Sequence, residues 1–368
     1  MWQFNLSTTI LFKENILMEL SSLLPIGRGL LVTSPSFVKR GIANLFVEHA
    51  QGRLVDIFYD VPPNPTISSC QNAINLAKSQ KVDFILALGG GSVIDLSKLV
   101  AVGILSNKHV QDWFDGEPLP QTGVTLIAMP TTAGTGSEVT SVAVLSSDTG
   151  GIKKPLSTPA FQPQFAYIDP TLTLSVPPYI TACTGFDAIA HALEAYWSKH
   201  HQPICDALAI QALKKAFSYL PIAYHEPKNL KARTEMAEAS LLAGLAFSLP
   251  KTAAAHALSY PLTHHHHIPH GEACALSLDF WLRFNAQDDE KRYLDLAQQL
   301  GFQNVLDLAD FLYQLKKDLG LRTNLKDIGL SDKEKERIIR EAQNKTLENN
   351  PRAVEGEVLQ DWLDKMLC

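Results

Sequence analysis

The 368-residue sequence lacks most features that would place a chain in a membrane, outside the cell or on a nucleic acid. No run of roughly 18 or more uncharged apolar residues is present, which excludes a spanning helix and predicts no membrane partner. No basic flank followed by an apolar stretch and a small-residue cleavage site stands near residue 1, so no secretory leader is expected. The five cysteines (Cys70, Cys183, Cys205, Cys274, Cys368) are odd in number, widely spaced and without a CxxC pair. That argues for reduced thiols in a cytoplasm and against a disulfide framework. Basic charge is also in deficit: the formal net charge of -6 gives no footing for nucleic acid. What remains is an ordinary globular composition, 46% hydrophobic and 19% charged, in a chain too long for one compact core. Two domains are expected.

The first half alternates short apolar runs with helical patterns. Gly29–Thr33 and Val55–Tyr59 read as buried strands, and Ser69–Ser79 as a helix after the rigid turn around Pro62-Pro63-Asn64-Pro65. Phe84–Leu88 runs straight into Gly89-Gly90-Gly91-Ser92 and a helix carrying Ile94, Leu96, Leu99 and Val100. Val124–Met129 is a further strand. Strand, helix and strand in turn predict a Rossmann-like parallel α/β sheet with ligands at the strands' carboxyl ends.

Two glycine-rich pieces sit at such ends. In Gly89–Ser92 the missing side chains let a backbone approach closely, and the helix after it offers unpaired N–H groups to a phosphate. Pro130-Thr131-Thr132-Ala133-Gly134-Thr135-Gly136-Ser137-Glu138-Val139-Thr140 puts hydroxyls and exposed amides directly after a strand, which suits a pyrophosphate and ribose. A polar hairpin turning at Ser146–Gly151 follows. Tyr167–Leu172 and Pro177-Pro178 read as the crossover into a new domain.

From Tyr179 onward the pattern is helical: 181–198, 203–219, 229–247, 251–260, 272–286, 288–300, 304–318, 331–344 and 354–367. The expected division is therefore 1–178 as the α/β dinucleotide-binding domain and 179–368 as an all-α domain. Gly185 and Gly244 are expected where helices approach closely.

Within the helical half, Asp187 and His191 are four apart and share a helix face, with His256 and His270 able to close a cage around one ion. One carboxylate and three imidazoles suit Fe(II) or Zn(II) and do not suit calcium or magnesium. Four protein ligands saturate tetrahedral zinc, whereas Fe(II) expands readily to five or six positions. Iron is therefore favoured, with zinc the alternative. The run His264–His267 reads as an exposed loop rather than as ligands.

Taken in order, GGGS at 89–92, PTTAGTGSEVT at 130–140, FDAIAHALEAYWS at 186–198 and HALSYPLT…IPHGEA at 256–273 give the chain a resemblance, over nearly its whole length, to the iron-containing (group III) alcohol dehydrogenases. The resemblance implies a dehydroquinate synthase-like architecture, with an N-terminal α/β dinucleotide-binding domain, a C-terminal helical domain and a metal in the cleft between them. It implies metal ligation by Asp187, His191, His256 and His270. It implies cofactor contacts at Asn64, Gly91, Ser92, Asp95, Thr131, Thr132, Thr135, Thr140, Lys153 and Leu172, with Ser34 as a further candidate.

Two positions depart from the family pattern. Where many members carry a second histidine four residues after the third ligand, this chain has Tyr260, which becomes the candidate for proton relay. After the first strand, where NAD-preferring members often place an aspartate, stands Leu30-Leu31-Val32-Thr33-Ser34, so NADP(H) is expected to be tolerated as well as NAD(H). The wording Ser259–Thr263 is most similar to the phosphonoacetaldehyde reductase branch of the family, which implies a short aldehyde bearing a phosphonate, reduced to 2-hydroxyethylphosphonate. Lys251 and Arg283 are the candidate anion contacts.

The expected activity is reversible hydride transfer between a nicotinamide and a small aldehyde or alcohol in a homodimer or larger homo-oligomer. A cyclising synthase of related fold, using NAD and a metal without net NADH consumption, is the alternative among enzymes. A non-catalytic metal-binding protein is the alternative outside them.

Overall fold

The computed structural model describes residues 2–148 and 153–367, so the turn expected at 146–151 falls partly outside the described residues. The chain divides into two compact units, one of residues 5–132 and 137–173, the other of residues 1–4, 133–136 and 174–368.

Among the described residues the first unit holds eight strands, β1 (Thr9–Phe12), β2 (Gly29–Thr33), β3 (Leu54–Phe58), β4 (Phe84–Gly89), β5 (Thr125–Pro130), β6 (Val142–Ser146), β7 (Lys153–Ser157) and β8 (Phe165–Ile168). Its helices are α1 (Leu20–Leu23), α2 (Pro35–Lys39), α3 (Ile42–His49), α4 (Ile67–Ser79), α5 (Gly91–Gly103) and α6 (Val110–Phe114). Six strands form one sheet in the order β1-β8-β5-β4-β2-β3, parallel at every pairing, and β6 and β7 form a separate antiparallel pair.

Side-chain alternation explains why the central strands read as unbroken apolar runs. Leu30, Val32, Ile85, Ala87, Leu126 and Ala128 enter one buried cluster, while Leu31, Phe84, Leu86, Leu88, Ile127 and Met129 enter another. Both faces are covered, so both parities of the strand are apolar. From β2 the chain steps to β3 on one side and to β4 and β5 on the other. This reversal is where open α/β sheets hold ligands.

Strands β1 and β8 are not apparent from the sequence. Each is four residues long, and the second half of β8, Tyr167 and Ile168, falls in the segment expected to be a crossover. Its Phe165 and Ala166 instead pair with β5, and all four of its residues pair with β1.

The second unit is helical: α7 (Pro178–Trp197), α8 (Pro203–His225), α9 (Leu230–Phe247), α10 (Ala254–His266), α11 (His270–Asn285), α12 (Glu290–Gln299), α13 (Val305–Asp318), α14 (Asp332–Ala342) and α15 (Gly356–Leu367). Every residue of α7 from Gly185 to Trp197 is buried, and this helix packs against α8, α9 and α11. Two expectations change here. Helix α10 continues past Pro261 and takes in His264, His265 and His266, with only His267 beyond it in a left-handed cap. The histidine run is thus a helix end rather than a loop, and His265 Nε2 lies 2.8 Å from Glu341 Oε2 on α14.

Close approach sets two glycines. A Cβ on Gly185 would meet Leu220 Cδ1 at 2.3 Å. Gly136 adopts φ +60°, and a Cβ there would lie 2.4 Å from Gly244 Cα, so backbone meets backbone. Gly136→Ala is expected to lower stability by about 1–3 kcal/mol through overpacking at a left-handed position. A thermal melt unchanged from wild type would contradict this packing.

Candidate metal centre and cofactor loops

Helix α7 supplies Asp187 and His191 from one face, α10 supplies His256 near its start, and α11 opens with His270. The three imidazole Nε2 atoms converge on one carboxylate oxygen. Asp187 Oδ1 is 3.9 Å from His191, 3.7 Å from His256 and 3.7 Å from His270.

The hydrogen bonds on the far side of each ring fix what points inward. His256 Nδ1 donates to Glu194 Oε2 at 2.5 Å, and His191 Nδ1 donates to the Gly134 carbonyl at 3.3 Å. Ser259 Oγ gives its proton to the His256 carbonyl at 2.8 Å, so at 3.3 Å from His270 Nδ1 it accepts. With every Nδ1 carrying the proton, each neutral ring presents a lone pair at Nε2. His191 and His256 Nε2 stand 3.0 Å apart, and Asp187 Oδ1 is buried with no hydrogen-bond partner. Lone pairs so placed repel unless a cation lies among them.

Donor atoms on one ion at ~2.1 Å, spread at tetrahedral angles, are ~3.4 Å apart. The spacings here bracket that value, so Asp187, His191, His256 and His270 fit a transition metal ion. Electrostatics carries the same signature. Burial pushes the Asp187 carboxyl up, but the neighbouring His191, His256 and His270 outweigh it and hold the group well below the carboxylate range. Burial lowers His191 to about 4, against the pull of Asp187. Burial works against a charge on His256 too, yet Cys274, Glu194 and Asp187 together raise it well above an ordinary imidazole, so that without a cation among these groups a proton on Nε2 takes its place.

Two residues near this cluster escaped sequence reasoning. Glu194 is fully buried, and besides His256 Nδ1 its carboxylate accepts from the backbone N–H of Ala255 at 2.7 Å and of His256 at 3.3 Å. It pins the start of α10 and the ring together. The signal was present: Glu194 follows His191 by three and Asp187 by seven, on the same helix face. Cys274, also buried, follows His270 by four, and its sulfur groups with Asp187, His256 and His270 such that their ligand atoms all lie within 4.8 Å of one another. Tyr260 is ring-parallel to His270 at 6.3 Å between centroids, and burial, reduced by His256 and Thr346, raises its phenol above the usual range.

The residues expected at the cofactor fall in the loops after the strands. Ser34 precedes α2 just past β2, and its hydroxyl pairs with Ser36. Asn64 accepts from Lys153 Nζ at 3.0 Å. Gly91 and Ser92 begin α5 after β4, with Ser92 Oγ donating to the Pro63 carbonyl. Thr131 and Thr132 follow β5, and Leu172 lies in the short 3-10 segment after β8. Thr135 alone belongs to the other unit, in the 133–136 segment. Asp95 and Thr140 join a network around Lys98, an ammonium that sequence reasoning passed over. Lys98 Nζ donates to Ser137 Oγ at 2.8 Å, Thr140 Oγ1 at 3.1 Å and the Val142 carbonyl at 2.6 Å. Asp95 accepts from Ser137 Oγ at 2.5 Å and Val144 N at 2.9 Å. This network fixes the hydroxyl-rich loop from beneath.

A buried carboxylate and imidazole cage in one unit, with glycine and hydroxyl loops along the carboxyl edge of a parallel sheet in the other, defines a class: metal-dependent oxidoreductases that use a dinucleotide. Comparison with known proteins narrows it. Residues 7–170 match the model described as iron-containing alcohol dehydrogenase, and residues 181–367 match the Fe-containing alcohol dehydrogenase family, C-terminal. The chain is 38% identical over 331 residues to a 1-propanol dehydrogenase of Citrobacter freundii, covering 85% of each. It is 34% identical over 337 residues to long-chain-alcohol dehydrogenase 1 of Geobacillus thermodenitrificans, covering 88% of this chain and 85% of that one. Among solved structures, sulfoacetaldehyde reductase of Bifidobacterium kashiwanohense in complex with NAD+ superposes with TM-score 0.97 at 40% identity, over 100% of this chain and 99% of that one. The chain belongs to the iron-containing alcohol dehydrogenase family and has its fold, a parallel α/β unit with an all-helical one.

Two outcomes are expected. Glu194→Gln removes the charge that holds His256, and should weaken metal affinity on the order of 10- to 100-fold in a chelator competition. Unchanged affinity would show that the ring needs no such support. Separately, burial, offset in part by its own backbone N–H and by Lys98, pushes the Glu138 carboxyl up to about 7 from 4.5. A carboxyl raised on folding contributes stability below 4.5 that is lost as pH rises through about 7. Glu138→Gln should therefore raise the melting temperature at alkaline pH by several degrees and change it little in acid, as scanning calorimetry across pH would read.

Proposed function

We propose that this chain is a metal-dependent, NAD(P)H-linked reductase of a short aldehyde carrying a tetrahedral anionic head group, a sulfonate or phosphonate. The observation that carries the metal-dependent part is the convergence of three Nε2 lone pairs on the partnerless Asp187 Oδ1. The 40% identity across the full chain to a sulfoacetaldehyde reductase supports an anionic two-carbon aldehyde. The similarity of Ser259–Thr263 to the phosphonoacetaldehyde reductase branch points to the same substrate class. Of the two candidate anion contacts, Arg283 is paired with Asp310 at 2.5 Å. Lys251 is exposed, and its Nζ donates to the Ser248 carbonyl at 2.7 Å with no carboxylate paired to it among the described residues, so it is the better placed to meet an anion.

Asp187, His191, His256 and His270 would hold the ion, Fe(II) by preference or Zn(II). The ion supplies Lewis-acid polarisation of the carbonyl oxygen. Glu194 and Gly134 keep Nδ1 of their histidines protonated, so that Nε2 faces inward. Gly91, Ser92, Thr131, Thr132, Thr135 and Thr140 would receive the dinucleotide phosphates and ribose, with Ser34, Asn64, Asp95, Lys153 and Leu172 around them. Tyr260 Oη, kept protonated by burial, could deliver a proton towards the oxygen that hydride transfer leaves as an alkoxide, but is a poor base at neutral pH.

His256→Ala and His270→Ala should each lower bound metal and turnover together, and by more than Glu194→Gln does. The assay is absorbance at the nicotinamide band, with iron-loaded protein, sulfoacetaldehyde, phosphonoacetaldehyde and propanal, and both reduced nicotinamides. Faster consumption with the two anionic aldehydes supports the reading, and full activity in chelator-stripped protein would rule it out. Turnover with NADH and none with NADPH would remove the tolerance for NADP(H). Absence of net NADH oxidation with every aldehyde would favour the cyclising synthase.

A further inference from the structure

Helix α11 brings two potential ligands to the metal cluster, one helical turn apart. His270 is its first residue and Cys274 follows by four, so both side chains project from one face. The Cys274 sulfur is 3.9 Å from His270 Nε2, the bond partner that the geometry gives it. A sulfur at ~2.3 Å and a nitrogen at ~2.1 Å from one ion are ~3.6 Å apart at a tetrahedral angle. The observed spacing is close to what a shared ion requires.

Two further observations separate this from a cysteine merely buried in a core. The ligand atoms of Asp187, His256, His270 and Cys274 all lie within 4.8 Å of one another, and His191 is not in that set. Asp187 Oδ1, in a side chain only 4% exposed, points into the same space without a hydrogen-bond partner.

We propose that Cys274 is a further ligand of the ion in this chain, bound as thiolate in addition to Asp187, His191, His256 and His270. This rests on the reading that an ion occupies the cluster. Binding is balanced by release of the thiol proton to solvent as the S–metal bond forms, with no change of oxidation state. A carboxylate and a thiolate together neutralise a divalent ion, and sulfur biases the site toward zinc and iron over the harder manganese and magnesium.

The test uses full-length, metal-stripped protein titrated with Co(II), read by near-ultraviolet absorption for thiolate-to-cobalt charge transfer and by visible ligand-field bands for occupancy. Wild type should show both. Cys274→Ser should keep one cobalt per chain and the ligand-field bands, lose the charge-transfer band, and release one proton fewer per cobalt bound. Cys183→Ser, altering the buried cysteine four residues before Asp187, should keep the band. Cobalt bound in wild type without charge transfer, or a band that survives in Cys274→Ser, overturns the thiolate ligand while leaving aldehyde reduction intact. Failure of wild type to bind cobalt, together with no nicotinamide-dependent aldehyde reduction, overturns this inference and the proposed function at once. Should Cys274→Ser melt with the apo wild type yet bind no cobalt, the thiolate is supported as an essential ligand. A Cys274→Ser that melts far below the apo wild type assigns the sulfur to packing and overturns the proposal.

Discussion

Three imidazole lone pairs and one ionised carboxylate oxygen, buried but for the His270 ring, form an arrangement that a positive charge relieves. Burial of such groups costs several kcal/mol each when unpaired. The helical unit is built to force that arrangement. Asp187 and His191 stand on a helix whose residues from Gly185 to Trp197 are all buried. The far nitrogen of every ring is bound to an acceptor, so no ring can turn to share its proton inward.

The same logic accounts for the cramped glycines. A Cβ on Gly271 would stand 1.9 Å from the Cys183 carbonyl and 3.0 Å from Asp187 Cβ. Helix α11 can therefore carry His270 to Asp187 only if its next residue has no side chain. A Cβ on Gly134 would lie 2.6 Å from the Thr184 carbonyl, so the acceptor for His191 Nδ1 also depends on a bare backbone. The glycines that read as features of nucleotide loops or helix starts serve the metal cage as well.

Much of this was legible in the sequence because it follows from periodicity. The central strands appear as apolar runs since both their faces are covered, and Asp187 and His191 appear as a pair since a helix repeats in 3.6 residues. What escaped had a weaker local signal. Strands β1 and β8 are too short to show a pattern, and they pair with each other across more than a hundred positions. Helix α10 outlasts Pro261, which sequence reasoning treats as a stop. Glu194 and Cys274 obeyed the same spacing rule as the recognised ligands, but a glutamate in FDAIAHALEAYWS and a cysteine between Ala273 and Ala275 look like a helix former and a core filler. Lys98, seen alone, resembles any lysine on an amphipathic helix. Only the folded loop shows three oxygens gathered around its ammonium.

Residues 133–136 belong to the helical unit although the chain on either side belongs to the sheet. Gly134, whose carbonyl orients His191, is two peptide bonds from Thr132 at the end of β5. A short covalent tether therefore joins the hydroxyl loop to an imidazole of the metal cage. The acceptor that orients His191 is a backbone atom, so a point substitution within those four residues can displace it but cannot delete it.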